Sequence, residues 1–304
     1  MFLYQKKLQF LGIYGIFIET FRLIFTARVI FSQITLAFIL PLSLLIFTLS
    51  QSSSNPWTFH SFSFNFTLFF FSAVFFFLST SAAVFSAACT FTDCRITFHH
   101  LILVAPKISI QLLVTFLCLI IDFLAFNFIA LSATTPIAIM IPLLLNYEPM
   151  EFLTQFLILL LCIEMMFYFG LIWQISSVVS VFEADSYGFE AIARSKEVIK
   201  GKMMMGLILL ILICFPVGVV VFVVHYGIVV ESALVRVGIM GSVWIYSFMM
   251  FLLSGTVLYL VCRLFKGERI EESTLSDHLQ GYFPIKSEYV KVEGDSDIET
   301  SLVV

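Results

Sequence analysis

Two carboxylates, Asp122 and Glu164, lie inside long apolar stretches of the sequence, each stretch long enough to cross a bilayer as a helix. A charge near the bilayer centre costs about 2.5–3.5 kcal/mol on insertion scales, so such a side chain faces the interior of a helical bundle or is protonated. Two hypotheses follow. The acids bind a cation or a proton on a transport path, or they are polar contacts between helices with Gln111, Asn127 or Gln174. No Lys or Arg lies inside these stretches to pair with them, and packing is the favoured hypothesis.

The densest charge cluster in the apolar part of the chain separates two further apolar runs, over residues 178–202. Its pattern predicts a short polar helix with Asp185 as the N-cap and Gly201 as the left-handed residue that ends it. Glu190 and Arg194 are spaced to pair on one helix face, and Glu197 and Lys200 likewise. Because this helix joins two membrane spans, it fixes the side of the bilayer on which the other loops lie.

Two interpretations of this helix stay open, a surface connector and a gate or docking helix for a partner. Its apolar side chains form a broken stripe that rests on the headgroup boundary or on neighbouring helices: Tyr187, Phe189, Ile192, Val198 and Ile199. The residues that would form a docking face are Tyr187, Phe189, Arg194, Lys196 and Lys200.

No catalytic or cofactor motif accompanies these residues. The sequence contains no phosphate-binding loop, no G-x-S-x-G, no H-E-x-x-H and no dinucleotide-binding fingerprint. Cys89 and Cys94 are spaced C-x4-C near His99 and His100, but no second ligand pair follows at the spacing of a zinc finger. No basic patch is long enough for nucleic acid. We therefore expect no enzyme activity, no metal, no cofactor and no nucleic-acid partner.

The composition explains which elements must position these side chains. The chain is 61% hydrophobic and only 12% charged, whereas soluble domains carry roughly 25% charged residues. It therefore predicts an all-α membrane protein, a bundle of about six transmembrane helices embedded in a lipid bilayer. The predicted spans are residues 29–50, 66–88, 108–131, 152–182, 203–224 and 237–264.

Three regions complete the predicted organisation. Residues 1–28 predict an N-terminal interfacial helix and not a cleaved signal peptide, residues 29–266 form the transmembrane domain, and residues 267–304 form a disordered acidic cytosolic tail. The apolar segment 133–151 contains two prolines and is interpreted as a broken extension of the third span or as a re-entrant segment. In the tail, Tyr282 and Tyr289 each begin a tyrosine-x-x-hydrophobic sorting pattern, whose use stays open.

The distribution of positive charge predicts the orientation. Of the 16 Lys and Arg residues, only Arg236 falls in a loop that the six-span topology places on the opposite side from both termini. Because cytoplasmic loops are enriched in Lys and Arg, both termini and the polar helix are predicted to be cytosolic.

Two regions carry a resemblance to known proteins. The opening FLYQKKLQFLGIYGIFIETFRLIF, followed by SQITLAFILPLSLLIF, resembles a family of plant polytopic transmembrane proteins of unknown function. The stretch from Trp173 to Lys202 is similar to that family's W-x-x-(A/S)-S-V-V-S-V motif with the charged segment after it. A looser similarity extends to the membrane domain of bacterial glycerophosphodiester phosphodiesterases. The resemblance implies a membrane bundle without phosphodiesterase activity, because no catalytic barrel is present.

From these observations we expect a structural or partner-binding role in the secretory and endomembrane system or the plasma membrane. Partners would be other membrane proteins, bound through the cytosolic helix or the tail. The alternative is a transporter or channel that uses Asp122 and Glu164.

Overall fold

A computed structural model of the chain describes residues 12–51, 59–92, 97–145, 149–183, 186–226 and 233–267. Every regular element in these ranges is a helix. The helices are α1 (Ile13–Thr26), α2 (Arg28–Ile34, a π-helical turn Thr35–Ile39, and Leu40–Gln51), α3 (Phe59–Phe91), α4 (Phe98–Leu145), α5 (Pro149–Phe182), α6 (Phe189–Ile199), α7 (Met203–Tyr226) and α8 (Ala233–Phe265).

Six of these helices are long and apolar enough to cross a membrane, as the sequence predicts. Their spanning segments are Arg28–Leu49, Ser63–Phe91, Phe98–Pro136, Ile158–Phe182, Met203–Val224 and Gly238–Phe265. The chain is therefore an all-helical, multi-pass membrane protein. The predicted interfacial position of residues 1–28 and the three-part division of the chain stay predictions, and the acidic tail after Gly267 lies outside the described residues.

The last helix, α8, lies at the centre of the bundle. Its most apolar window is 78% buried, against 17% for the corresponding windows of α4 and α7. Small residues allow this position, because Ser254, Gly255 and Thr256 let neighbouring helices approach closely and are all buried. A Cβ built at Gly255 would lie 2.4 Å from Cγ of Gln174 on α5, so glycine is required where α5 crosses α8.

Aromatic side chains fill the place where α3, α4, α5 and α8 meet. The ring of Trp173 on α5 lies 5.1 Å from Phe116 on α4 and 6.0 Å from Phe76 on α3, measured between centroids. Phe76 in turn lies 5.7 Å from Phe248 on α8. Such pairs add about 0.5–1.5 kcal/mol each beyond the area they bury. This cluster fixes how α3, α4, α5 and α8 are positioned relative to one another along the axis of the bundle.

Hydroxyl pairs then align the helices on one side of the aromatic cluster. Thr115 on α4 and Ser180 on α5 are hydrogen-bonded at 3.1 Å, and Ser81 on α3 and Ser109 on α4 at 3.0 Å. Interhelical hydrogen bonds between small side chains are typical of packing in membranes, where close approach and polar contacts replace the hydrophobic effect.

Helix α4 is longer than its predicted span. It runs for 48 residues, about 72 Å at the usual rise, and continues through Pro136 and Pro142 to Leu145. Residues 133–145 therefore extend the third span, as one of the two interpretations of residues 133–151 had it, but without the predicted break, and the re-entrant interpretation is wrong for these residues. Proline is tolerated in membrane helices because neighbouring groups satisfy the backbone carbonyl that it leaves unpaired.

The first two helices pack differently from each other. α1 buries Ile16, Thr20 and Leu23, and it lies against α8, where Phe21 contacts Tyr246 at 6.3 Å between ring centroids. In α2, the π-helical turn Thr35–Ile39 lies just before Pro41. A wider turn at this place is expected, since proline clashes with the carbonyl four residues before it.

Candidate functional site

Asp122 is paired with a basic residue that the sequence did not place beside it. Oδ2 of Asp122 on α4 lies 2.7 Å from Nζ of Lys196 on α6. Helix α6 folds back along α4, where the backbone N–H of Gly188 donates to Oγ1 of Thr115 at 2.9 Å. No Lys or Arg lies inside the spans of the two acids, but the helix that joins α5 to α7 supplies a basic partner for Asp122 from outside them.

Glu164 has a different environment on α5. Its side chain is exposed on the outside of the bundle, and it makes no hydrogen bond or ion pair with any described residue. An apolar cavity of about 460 Å³ between α5 and α7 lies beside it and is lined by Ile163 and Cys214. Glu164 is the seventh residue of the spanning segment Ile158–Phe182, so it lies within the span, about 9 Å along the helix from the Ile158 end and about 27 Å from Phe182.

The two membrane acids therefore do not share a site. Asp122 is bound to α6, and Glu164 faces outwards from α5. Neither acid lines the cavity beside α5 or the second apolar cavity, of about 210 Å³, between α2, α7 and α8. Of the three partners that the sequence suggested for the acids, Gln174 is buried and donates through Nε2 to Oγ of Ser254 on α8 at 3.1 Å, and Asn127 donates to the carbonyl of Phe123 on its own helix.

Helix α6 has one buried and one exposed face. It buries Ala191, Ile192, Ser195, Val198 and Ile199. Tyr187 and Phe189 at its start are 52% and 58% exposed, so the predicted apolar stripe is divided between the bundle and the surface. Among the other docking candidates, Lys200 is exposed, whereas Arg194 and Lys196 are partly buried and paired.

The sequence predicts a residue for each end of α6, and the prediction for the C-terminal end is confirmed. The helix ends at Ile199, and Gly201 follows with φ of 97°, as the left-handed residue that the sequence predicts there. The predicted N-cap, Asp185, lies outside the described residues. The structure places Gly188 before the first helical residue, with φ of 67°.

A polar junction that the sequence did not predict joins the ends of α5, α6 and α8. We use this name for Glu183, Arg194, Glu197, Tyr259, Arg263 and Lys266. Oε1 of Glu183 accepts a hydrogen bond from the Tyr259 hydroxyl at 2.9 Å and lies 3.5 Å from Nε of Arg194 and 3.7 Å from Nη1 of Arg263. One carboxylate at the end of α5 thus binds both neighbouring helices.

The remaining members of the polar junction extend it along α6. Arg194 donates from Nη1 to Glu197 at 3.1 Å, and Lys266 donates from Nζ to the backbone carbonyl of Glu197. Arg263 also donates to the Tyr259 hydroxyl at 2.9 Å, four residues away on α8. Two features of the sequence could have indicated this junction, because Glu183 ends an apolar span and Tyr259 and Arg263 share one helix face. The sequence does not show that these three residues meet, since only the fold brings α5 and α8 together.

The described residues contain no group of three or more His, Cys, Asp or Glu side chains placed to hold a metal ion. Of the cysteine and histidine pattern, Cys89 is buried, His99 and His100 are exposed, and Cys94 lies outside the described residues. The arrangement in the described part is thus one of ion pairs and interhelical hydrogen bonds.

No curated protein and no solved structure matches the chain. A family model does match, over residues 1–55 and 48–301. The description of this family names no source organism and does not mention phosphodiesterase membrane domains. Since it covers nearly the whole sequence, the chain belongs to the family described as Domain of unknown function (DUF8558).

Proposed function

We propose that this protein is a non-catalytic membrane protein that acts by binding another membrane protein through the outer face of α5. One observation carries the proposal. Glu164 lies within the spanning segment Ile158–Phe182, on the outer surface of the bundle, and has no partner among the described residues. Ionisable residues within membrane spans normally face the bundle interior or pair with one another. A helix of a partner protein would supply the pairing side chain for Glu164 that the described residues do not.

The chemistry of Glu164 defines the partner. A carboxylate at the centre of a membrane helix costs about 2.5–3.5 kcal/mol on insertion scales, and this is an upper bound for Glu164, which lies nearer one end of its span. A transmembrane helix with a basic or hydrogen-bond-donating side chain at the same depth removes that cost by pairing with the carboxylate. The residues around Glu164 suit such a contact, because Leu160 and Ile163 are each 44% exposed.

Helix α6 provides a second contact surface for a membrane protein partner. The polar junction and the Asp122–Lys196 pair hold α6 against the bundle, so its backbone is fixed before any partner binds. Tyr187 and Phe189 then project from a rigid support, and exposed aromatic residues are enriched at protein interfaces.

The proposed location is the secretory and endomembrane system or the plasma membrane, with both termini and α6 in the cytosol. The charge asymmetry of the sequence supports this orientation, since Arg236 alone among the Lys and Arg residues falls on the opposite side.

Transport is the alternative, and the geometry supports it less. An ion path through both acids requires that they share an aqueous route, whereas Asp122 is neutralised by Lys196 and Glu164 faces outwards. The flux measurement in the Discussion distinguishes the two functions.

Photocrosslinking in native membranes tests the assembly. A photoreactive amino acid at Leu160, one turn before Glu164 on the same face of α5 and 44% exposed, should give one discrete adduct of defined mass, and a Glu164→Gln change should reduce it several-fold. The same probe at Leu117, which is 51% exposed on α4, is the matched control and should give no such adduct.

Three other outcomes would count against the proposal. An adduct of twice the mass of this chain would assign the face to a second copy. Equal adducts from Leu160 and Leu117 would indicate nonspecific contacts, and an adduct unaffected by Glu164→Gln would remove the carboxylate from the interface. Size-exclusion profiles of the variants in detergent control for folding.

A further inference from the structure

We propose that the start of α7 and the end of α8 form a binding site for the phosphate headgroup of an anionic phospholipid. The site consists of Lys200, Lys202 and Lys266, with Phe265 beside them, and we call it the lysine site. It uses neither Glu164 nor the outer face of α5, so it stands or fails independently of the assembly proposed above.

The lysine site is compact. Nζ of Lys202 lies 4.3 Å from the centroid of the Phe265 ring. Lys202 and Lys266 both interact electrostatically with the thiol of Cys262, one turn before Lys266 on α8. Lys200 is exposed and separated from Lys202 only by Gly201, whose left-handed backbone turns the chain sharply between α6 and α7. Lys202 and Lys266 therefore lie close to the same thiol, and Lys200 is two residues before Lys202 in the chain.

The height of the site in the membrane identifies its ligand. The apolar span of α7 begins at Met203, and that of α8 ends at Phe265, so the lysines lie directly outside two spans at the same end of the bundle. This is the headgroup layer of the bilayer, where lysines at helix ends extend towards lipid phosphates. Phe265 is 51% exposed and contributes an apolar contact to the lipid beneath the headgroup.

Charge complementarity favours an anion there. In the adjacent polar junction the two carboxylates, Glu183 and Glu197, are each bound by arginine. Lys266, which belongs to that junction, and the neighbouring Lys200 and Lys202 bring three more positive charges beside its two arginines and two glutamates. Burial lowers the pKa of Lys202, and a phosphate beside it would favour the charged ammonium.

The test uses the purified full chain in nanodiscs of phosphatidylcholine, with and without phosphatidylserine. Native mass spectrometry measures which lipid is retained, and thermal unfolding measures stabilisation. We expect selective retention of phosphatidylserine and a higher unfolding midpoint in its presence. Changing Lys200, Lys202 and Lys266 together to Gln should abolish both effects, with about fivefold weaker retention per single change. Lys107→Gln, an exposed lysine on α4, is the matched control and should keep both.

The outcomes separate the sources of the anion. Stabilisation by inorganic phosphate in pure phosphatidylcholine nanodiscs, equal to that by phosphatidylserine, would replace the lipid with a free anion. A wild type without lipid preference, or a triple variant that keeps it, would overturn the site. If the triple variant fails to fold, Lys200→Gln alone, at an exposed position, still has to weaken retention for the proposal to stand.

Discussion

Nζ of Lys196 lies 2.7 Å from Oδ2 of Asp122, across 74 positions of sequence, and this pair fastens the connecting helix α6 to the long helix α4. The two side chains are 39% and 35% exposed. Because the pair is partly open to its surroundings, we expect a modest energy from it, comparable with surface ion pairs. Its main effect is to fix the position of α6 against α4.

A double-mutant cycle on Asp122→Asn and Lys196→Gln measures this contribution. We expect a coupling energy of about 0.2–1 kcal/mol, because each single change removes the same ion pair. Glu164→Gln combined with Lys196→Gln is the control and should be additive, since Glu164 contacts no described residue. Thermal unfolding in detergent is the measurement. Full additivity in the Asp122 cycle would contradict the pairing.

The second prediction concerns the crossing of α5 and α8. Gly255→Ala should destabilise the protein by about 1–3 kcal/mol, because the new methyl group overlaps Gln174 in a tightly packed interface. The clash is set by the 2.4 Å approach to Cγ of Gln174. Gly241→Ala, on the same helix with nothing within 4 Å of its added Cβ, is the matched control. It should be neutral or stabilising by up to about 1 kcal/mol, since alanine favours the helix. Equal unfolding temperatures for the two variants would contradict the proposed crossing.

Local patterns predicted most of the elements but not their contacts. Six apolar runs suffice to predict six spans, and Gly201 suffices to end α6, since hydropathy and backbone freedom are local properties. The partners of Asp122 and Glu183 could not be predicted, because they depend on how α6 folds back between α4 and α8. The length of α4 was missed because proline breaks soluble helices more often than membrane helices.

The third prediction separates packing from transport. Purified wild type in liposomes should show no proton or cation flux above that of empty liposomes. Asp122→Asn with Glu164→Gln should leave this baseline unchanged, because isosteric amides keep the shape of the bundle. A wild-type flux that disappears in a double mutant of normal stability would instead establish a transport path, since transport needs the charge.

The fourth prediction concerns orientation. Asn65-Phe-Thr67 is a glycosylation sequon on the side predicted to face the lumen, but it lies within helix α3. We therefore expect little glycan in the native chain. A polar insertion carrying a sequon between residues 52 and 58 should be glycosylated, and protease-accessible tags at both termini should be cytosolic. Lumenal tags, or an unmodified insertion, would contradict the proposed orientation.

The last prediction concerns Glu183 in the polar junction. Glu183→Ala removes the acceptor shared by Tyr259, Arg194 and Arg263, and the Tyr259 side chain is fully buried. Loss of a buried acceptor leaves its donors unsatisfied, which costs about 1–3 kcal/mol and more where charge is involved. Glu183→Gln keeps an acceptor oxygen, so its loss of stability should be smaller.

Glu197→Gln is the matched control, because that side chain is 60% exposed and bound by Arg194 alone among the described residues. It should change stability by less than about 0.5 kcal/mol. Unfolding midpoints in detergent rank the three variants, with Glu183→Ala lowest. Cysteine accessibility at Lys200, introduced as Lys200→Cys, reports whether α6 detaches. If Glu183→Ala matches Glu197→Gln in both measurements, then Glu183 does not hold α6 and α8 together.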